Sequence, residues 1–218
     1  MNQSRLAVVI PAYNEAATIG GVVACARCLG DVIVVDDGSR DDTAMLAREA
    51  GAKVLALRGN TGYEGALSAG VHCAIDSNYE FALTMDADGQ HGIESAQALV
   101  SALGNADIAI GLRLHKQRVS EWLSGLIGAL LWGVSDPFSG LKLYRLTSCA
   151  ALRPFDSHRL VGAEMFVRAH RAGLALVAVP IVTSKRADAP RFDTNWRANV
   201  RLARAIVMLT AIHWGILR

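Results

Sequence analysis

Two carboxylates one residue apart, Asp86 and Asp88, close a short apolar run from Phe81 to Met85, and Gly89, Gln90 and His91 follow at once. An apolar run of this length ending in polar groups reads as a buried strand. In extended backbone the side chains at i and i+2 share a face, so both acids are expected in one crevice at the strand's end. Gly89 permits a sharp turn there, and Gln90 and His91 add two more polar groups. Like charges this close raise each other's pKa unless a cation lies between them. A hard ion such as Mg²⁺, held by one or two carboxylates and completed by substrate phosphate oxygens, meets that requirement. Taken alone, the same residues make an Asp- and Gly-rich turn with one acid capping the next helix. The surrounding sequence favours the metal.

Strand-length apolar runs at Leu6–Ile10, Asp31–Asp36, Lys53–Leu57, Phe81–Met85 and Ala106–Ile110 alternate with helical stretches at Ala16–Leu29, Ala44–Ala50, Gly62 to about Ile75, and Ile93–Leu103. Alternation with short connections predicts an α/β fold, a mostly parallel sheet covered by helices on both faces. Ligands of such sheets bind outside the carboxyl ends of the strands. The polar clusters fall there: Tyr13 to Glu15, Asp36 to Ser39, Arg58 to Gly62, Asp86 to His91, and Arg113. The first turn is Pro11-Ala-Tyr-Asn-Glu15, with no G-x-G-x-x-G, and no G-x-x-x-x-G-K-[ST] occurs anywhere. Phosphate is therefore not expected in a glycine-rich cradle, and a metal on Asp86 and Asp88 takes that task. This is one coherent design for a nucleoside diphosphate.

At 218 residues the chain reads as one domain with ample core. A net charge of +2 gives no global reason to expect nucleic acid, and 52% of residues are apolar. Arg5 precedes a strand-length run rather than a long apolar segment, so no signal peptide is expected and the location reads as cytoplasmic. Cys25, Cys28, Cys73 and Cys149 lack a disulfide-framework spacing. Cys25-x-x-Cys28 has no second pair for zinc, and reads as small buried or half-buried helix residues.

Pro11-Ala-Tyr-Asn-Glu15, Val35-Asp-Asp-Gly-Ser39 with Asp41 and Thr43, Asn60-x-Gly62 and Asp86-Ala-Asp-Gly-Gln-His91 together resemble the family 2 inverting glycosyltransferases of GT-A fold. With Asp136-Pro-Phe-Ser-Gly140 and Lys142 to Arg145 downstream, the chain is most similar to dolichol- and polyprenyl-phosphate sugar synthases. The resemblance implies a GT-A-like three-layer sandwich. It implies a donor pocket for a nucleoside-diphosphate sugar lined by Pro11, Ala12, Tyr13, Glu15, Asp36, Asp37 and Asn60. It implies Mg²⁺ or Mn²⁺ on Asp86, Asp88 and Gln90, and donor or acceptor phosphate contacts by Arg113 and Arg118. Glu15 and Asp41 equally suit the start of a helix. Asp136 is the candidate general base by position, and Ser139 in the same motif is a candidate acceptor or phosphate contact. A lipid phosphate is already an anion and needs no base, in which case Asp136 orients the acceptor or a phosphate-binding arginine; an Asp-Pro turn is the plain alternative. The segment between Arg113 and Asp136 is shorter than the family's, and Ser184 to Arg191 departs from its pattern, with Arg186 and Arg191 as possible phosphate contacts. The acceptor therefore stays open.

From Ser184 onward seven Lys or Arg face Asp188 and Asp193. Arg197, Arg201 and Arg204 form one helical stripe leading into the apolar run Ala205–Leu217, which is shorter than the roughly 20 residues a membrane span needs. Trp122–Val134 is a similar run behind Arg113, Lys116 and Arg118. Basic flanks and apolar runs with Trp suit helices lying at an anionic membrane surface; packing on the sheet or on a partner subunit is the alternative. The expected organisation is thus a transferase domain over 1–183 with an extension over 184–218. The expected activity is metal-dependent transfer of a hexose from a nucleoside-diphosphate sugar to a polyprenyl-phosphate at the inner face of the membrane, with Asp88, Asp136 and Arg113 central. A soluble transferase with a small hydroxyl acceptor and a non-catalytic nucleotide-sugar-binding scaffold are the competing readings.

Overall fold

The computed structural model describes residues 6–113, 119–152, 155, 158, 160, 162–183 and 195–217. Three consecutive strand–helix units open the chain: β1 (Leu6–Ala12), α1 (Ile19–Ala26), β2 (Asp31–Asp36), α2 (Thr43–Glu49), β3 (Lys53–Ala56) and α3 (Tyr63–Asp76). There follow β4 (Phe81–Thr84), α4 (Ile93–Ala102), β5 (Ile108–Arg113) and α5 (Val119–Trp132). The last stretch holds β6 (Lys142–Arg145), the short α6 (Leu146–Cys149), α7 (Glu164–Arg171), β7 (Leu176–Ile181) and α8 (Asn195–His213).

The strands form one seven-stranded sheet in the order β3-β2-β1-β4-β6-β5-β7. Only β6 runs antiparallel to its neighbours; the other pairs are parallel. The chain winds outward from β1 through β2 to β3, then returns to place β4 on the other side of β1. The crevice between the ends of β1 and β4 is therefore the switch point, where open α/β sheets bind ligands.

All seven residues of β1 are buried, as a central strand covered on both faces requires. Leu6, Val8 and Ile10 pack under Ile19, Val22 and Val23 of α1 and Ala96 and Leu99 of α4. Ala7 and Val9 face the opposite layer, with Ala66, Leu67 and Val71 of α3 and Met165 of α7. A third cluster joins Trp132 of α5, Phe166 of α7, and Ala205, Leu209 and Ile212 of α8. Pro11 fits a central strand because β1 pairs with β4 only from Leu6 to Val9. Its missing N–H falls on the side that β4 has already left.

Five strands of the sequence reading are present, and two were not anticipated. β6 is four residues long and carries Lys142 and Arg145, so it shows no apolar run. β7 holds Pro180 and is half exposed, which an edge strand tolerates. The fifth strand continues to Arg113 rather than stopping at Ile110. Cys25 and Cys28 correct the sequence reading: both are exposed, because α1 turns Ile19, Val22, Val23 and Ala26 inward and leaves Cys25 on its solvent face, and Cys28 lies in the turn after the helix.

Candidate active site

The loops after β1 and β2 are stitched together across the sheet's carboxyl edge. Asn14, at φ 52, donates its N–H to the Ser39 hydroxyl at 2.9 Å and accepts from the Arg40 N–H at 2.8 Å. Glu15 N–H donates to the Thr43 hydroxyl at 2.8 Å and Ala16 N–H to Asp41 at 3.2 Å. Burial alone would raise the Asp41 carboxyl, but the Thr43 hydroxyl and the N–H groups of Ala16 and Thr43 bind its charged form and hold it below the usual range. Asp36 accepts the Ser39 N–H at 3.2 Å. Pro11, Ala12, Tyr13, Glu15, Asp36 and Asp37 thus line one edge, with Pro11, Ala12, Glu15, Asp36 and Asp37 buried and Tyr13 half-buried.

Asp37 reaches sideways. One of its oxygens accepts from the Thr61 N–H and hydroxyl at 2.7 and 2.8 Å, the other from the Gly62 N–H at 2.8 Å. It pins the loop holding Asn60, whose own carbonyl accepts from Gly62 N–H at 3.1 Å, to the end of β2. Gly38 makes this possible: a Cβ there would lie 3.2 Å from the Gly59 backbone, and its φ is +75°.

Past β4 the chain turns from Ala87 onward, with Ala87 buried and Asp86 and Asp88 half-buried. Asp86 accepts from the Tyr63 hydroxyl at 3.0 Å and lies 3.0 Å from His91 Nε2. Asp88 accepts from the Gln90 N–H at 3.0 Å. Burial pushes the Asp86 carboxyl up, but His91, the Tyr63 hydroxyl and the charge of Lys142 outweigh it and hold it below its usual value. The mutual raising expected of two neighbouring acids is therefore not what governs Asp86. Among the described residues no group of three or more His, Cys, Asp or Glu is arranged to hold a metal. Mg²⁺ and Mn²⁺ nonetheless fit this donor set. Two hard carboxylates suffice when diphosphate and water complete the shell, and each carboxylate oxygen has two lone-pair directions.

On the other side, Arg113 grips Asp136 with a fork: Nε to Oδ2 at 2.7 Å and Nη2 to Oδ1 at 3.0 Å, with the Arg113 backbone N–H on Oδ2 at 3.3 Å. Asp136 is 5% exposed. Its loop enters β6 beside β4, since the Thr84 hydroxyl donates to Gly140 O at 2.8 Å and Gly111 N–H to Leu141 O at 3.0 Å. Asp86 and the Arg113–Asp136 pair thus flank one short loop. Ser139 is wholly buried, and its carbonyl accepts from the buried Lys142 ammonium. Arg118, Arg186 and Arg191 lie outside the described residues. The antiparallel bridge between His91 and Thr183 brings the chain after β7 back to the metal motif.

Tyr63 was not singled out in the sequence, and Gly140 and the buried Lys142 entered it only as members of motifs, with no role of their own. A lysine among Leu141, Leu143 and Tyr144 is a detectable signal, because a buried charge must be paired. Tyr63 gives none: it is one residue at a helix start, and only the packing of α3 brings it to Asp86.

Sheet order, the single antiparallel strand and an acidic motif at the switch point define a GT-A-like glycosyltransferase fold. Residues 7–147 match the family model of glycosyl transferase family 2, and the chain belongs to that family. The polyprenol monophosphomannose synthase of Mycolicibacterium smegmatis is 35% identical over 212 residues, covering 84% of this chain and 78% of its own. An undecaprenyl-phosphate mannosyltransferase of Micrococcus luteus is 29% identical over 206 residues, with 84% of each chain covered. Glucosyl-3-phosphoglycerate synthase from Mycobacterium tuberculosis, crystallised with Mn²⁺, UDP and glucosyl-3-phosphoglycerate, superposes with a TM-score of 0.78 over all of this chain and 82% of that one, at 23% identity.

Proposed function

We propose that the protein transfers a hexose, with inversion, from a nucleoside-diphosphate sugar to a polyprenyl-phosphate. The observation that carries this is the Arg113–Asp136 fork. A hydroxyl acceptor needs a base to remove its proton, and the carboxylate placed to do so is already engaged by a guanidinium. A phosphate acceptor arrives ionised. It needs a cation in a fixed orientation, and Asp136 supplies that by holding Arg113 at the end of β5. Guanidinium geometry suits bidentate phosphate contact. The names of the two relatives point to the same acceptor class.

On the donor side, the stitched loops after β1 and β2 form the wall for base and ribose, and Asp86 and Asp88 would hold Mg²⁺ or Mn²⁺ beneath the diphosphate. When bound, the cation neutralises charge developing on the departing nucleoside diphosphate. Gln90 and the arginines outside the described residues, Arg118, Arg186 and Arg191, belong to the same proposal as further metal and phosphate contacts.

The reading also places the protein at the cytoplasmic membrane surface. No helix among the described residues is long and apolar enough to cross a membrane. Leu126 and Leu130 on α5, Val207 on α8, and Trp214 and Ile216 just beyond it are exposed.

The test is transfer of labelled sugar from GDP-mannose or UDP-glucose, with Mn²⁺, to a polyprenyl-phosphate, read as lipid-extractable label. The expected result is metal-dependent lipid product with at least one donor. Transfer to a water-soluble hydroxyl acceptor with none to lipid overturns the acceptor; no transfer to either, in a folded protein that binds the donors, favours a scaffold.

A further inference from the structure

We infer that Tyr63 is a positioning residue for the metal site, holding the Asp86 carboxylate in the orientation a donor-bound cation needs. The inference rests on the donor-site reading above and names a residue of that site.

Asp86 is clamped on three sides. The Tyr63 hydroxyl donates to Oδ1 at 3.0 Å, and His91 Nε2 lies 3.0 Å from Oδ2. The third side is the Gly140 backbone, where a Cβ would fall 2.4 Å from Oδ2 and 2.7 Å from Oδ1. The carboxylate plane therefore cannot rotate without breaking one of these contacts. Each oxygen keeps a second lone-pair direction, so the clamp orients the group without saturating it. The phenol is itself fixed from behind. Asp37 binds the Thr61 and Gly62 N–H groups immediately before it, tying the start of α3 to the end of β2. The contact thus joins the loops of the nucleotide wall to the acid beneath the diphosphate.

Tyr63→Phe keeps the ring and removes the donor. Tyr144→Phe is the control for loss of a buried phenol hydroxyl; that hydroxyl donates to Gly162 O at 3.5 Å. Mn²⁺ binding to the full chain in the presence of GDP or UDP is read from the electron paramagnetic resonance signal of free Mn²⁺, and melting temperature is read alongside. The expected result is an Mn²⁺ Kd raised about tenfold in Tyr63→Phe, the scale of losing one hydrogen bond to a charged group. Tyr144→Phe is expected within twofold of wild type. An unchanged Kd in Tyr63→Phe overturns the inference, as does an equal loss in Tyr144→Phe, which marks a general packing effect. A wild-type protein that binds no Mn²⁺ with either nucleotide removes the donor-site reading and the inference together.

Discussion

Two duties toward an acceptor are open to Asp136, and they ask different things of its oxygens. A general base must have a lone pair aimed at the acceptor proton, whereas a positioning acid spends its oxygens on the arginine that meets the acceptor. Both oxygens of Asp136 accept from Arg113. Asp136→Asn is therefore expected to lower kcat/KM for the lipid acceptor by about tenfold, mainly through KM, because a charge-assisted contact of roughly 1.5–3 kcal/mol is weakened rather than removed. Its rate between pH 7 and 9 should track that of the wild type, since no proton abstraction is lost. A base would show itself by a 10²–10⁴-fold loss in kcat, the usual range for acid–base groups. Steady-state kinetics across that pH range distinguishes the two.

At the level of elements, α3 sets the spacing between the loops after β1 and β2 and the turn from Asp86 to His91. Gly70 lets it lie close on the sheet: a Cβ there would come within 2.4 Å of Val9 Cγ1 and 2.8 Å of Val35 Cγ2. Both valines are fully buried, and their branched side chains are stiff at χ1. Gly70→Ala gains intrinsic helix propensity, but overpacking of this kind costs about 1–3 kcal/mol. The melting temperature is expected to fall by ~2–4 °C for each kcal/mol at this chain length. Since Tyr63 rides on the same helix, metal-dependent nucleotide binding should weaken along with it. A variant as stable as the wild type would mean that α3 can shift outward without cost.

For the molecule as a whole, α8 has two apolar faces. Ala205, Leu209 and Ile212 close the cluster shared with α5 and α7, while Val200 at 47% and Val207 at 68% exposure look outward, as does Trp214 just past the helix at 67%. Leu130 on α5 is 77% exposed. Packing on the domain therefore leaves the exposed side chains of α8 unused. Leu130→Glu with Val207→Glu is expected to weaken sedimentation with anionic liposomes by at least about tenfold, as each apolar side chain removed from an interface forfeits on the order of 1.5 kcal/mol or more. Turnover on a short-chain soluble acceptor should persist, since the chemistry sits at the strand ends. High salt should weaken wild-type binding through the basic residues near the helix. A wild-type protein that ignores anionic liposomes at low salt, or that forms a dimer abolished by the same changes, assigns this surface to a second copy.

The sequence by itself determined the elements whose burial pattern is local: β1, β2 and β4 are continuous apolar runs, and periodicity needs no tertiary information to be read. It also determined that acids stand at the strand ends, because βα turns follow the strands directly. It could not supply β6 or β7, whose residues are half polar and become strands only by pairing, β6 between β4 and β5 and β7 along the edge of β5. Nor could it say what each acid is bonded to. Asp37 and Asp86 look alike in a motif; one binds the start of α3 and the other is held between Tyr63, His91 and Gly140. Partners separated by 23 to 25 residues in the chain meet only when the sheet assembles. Hydrogen bonds at that range are decided by tertiary structure, because a side chain's role is set by what faces it and not by what precedes it.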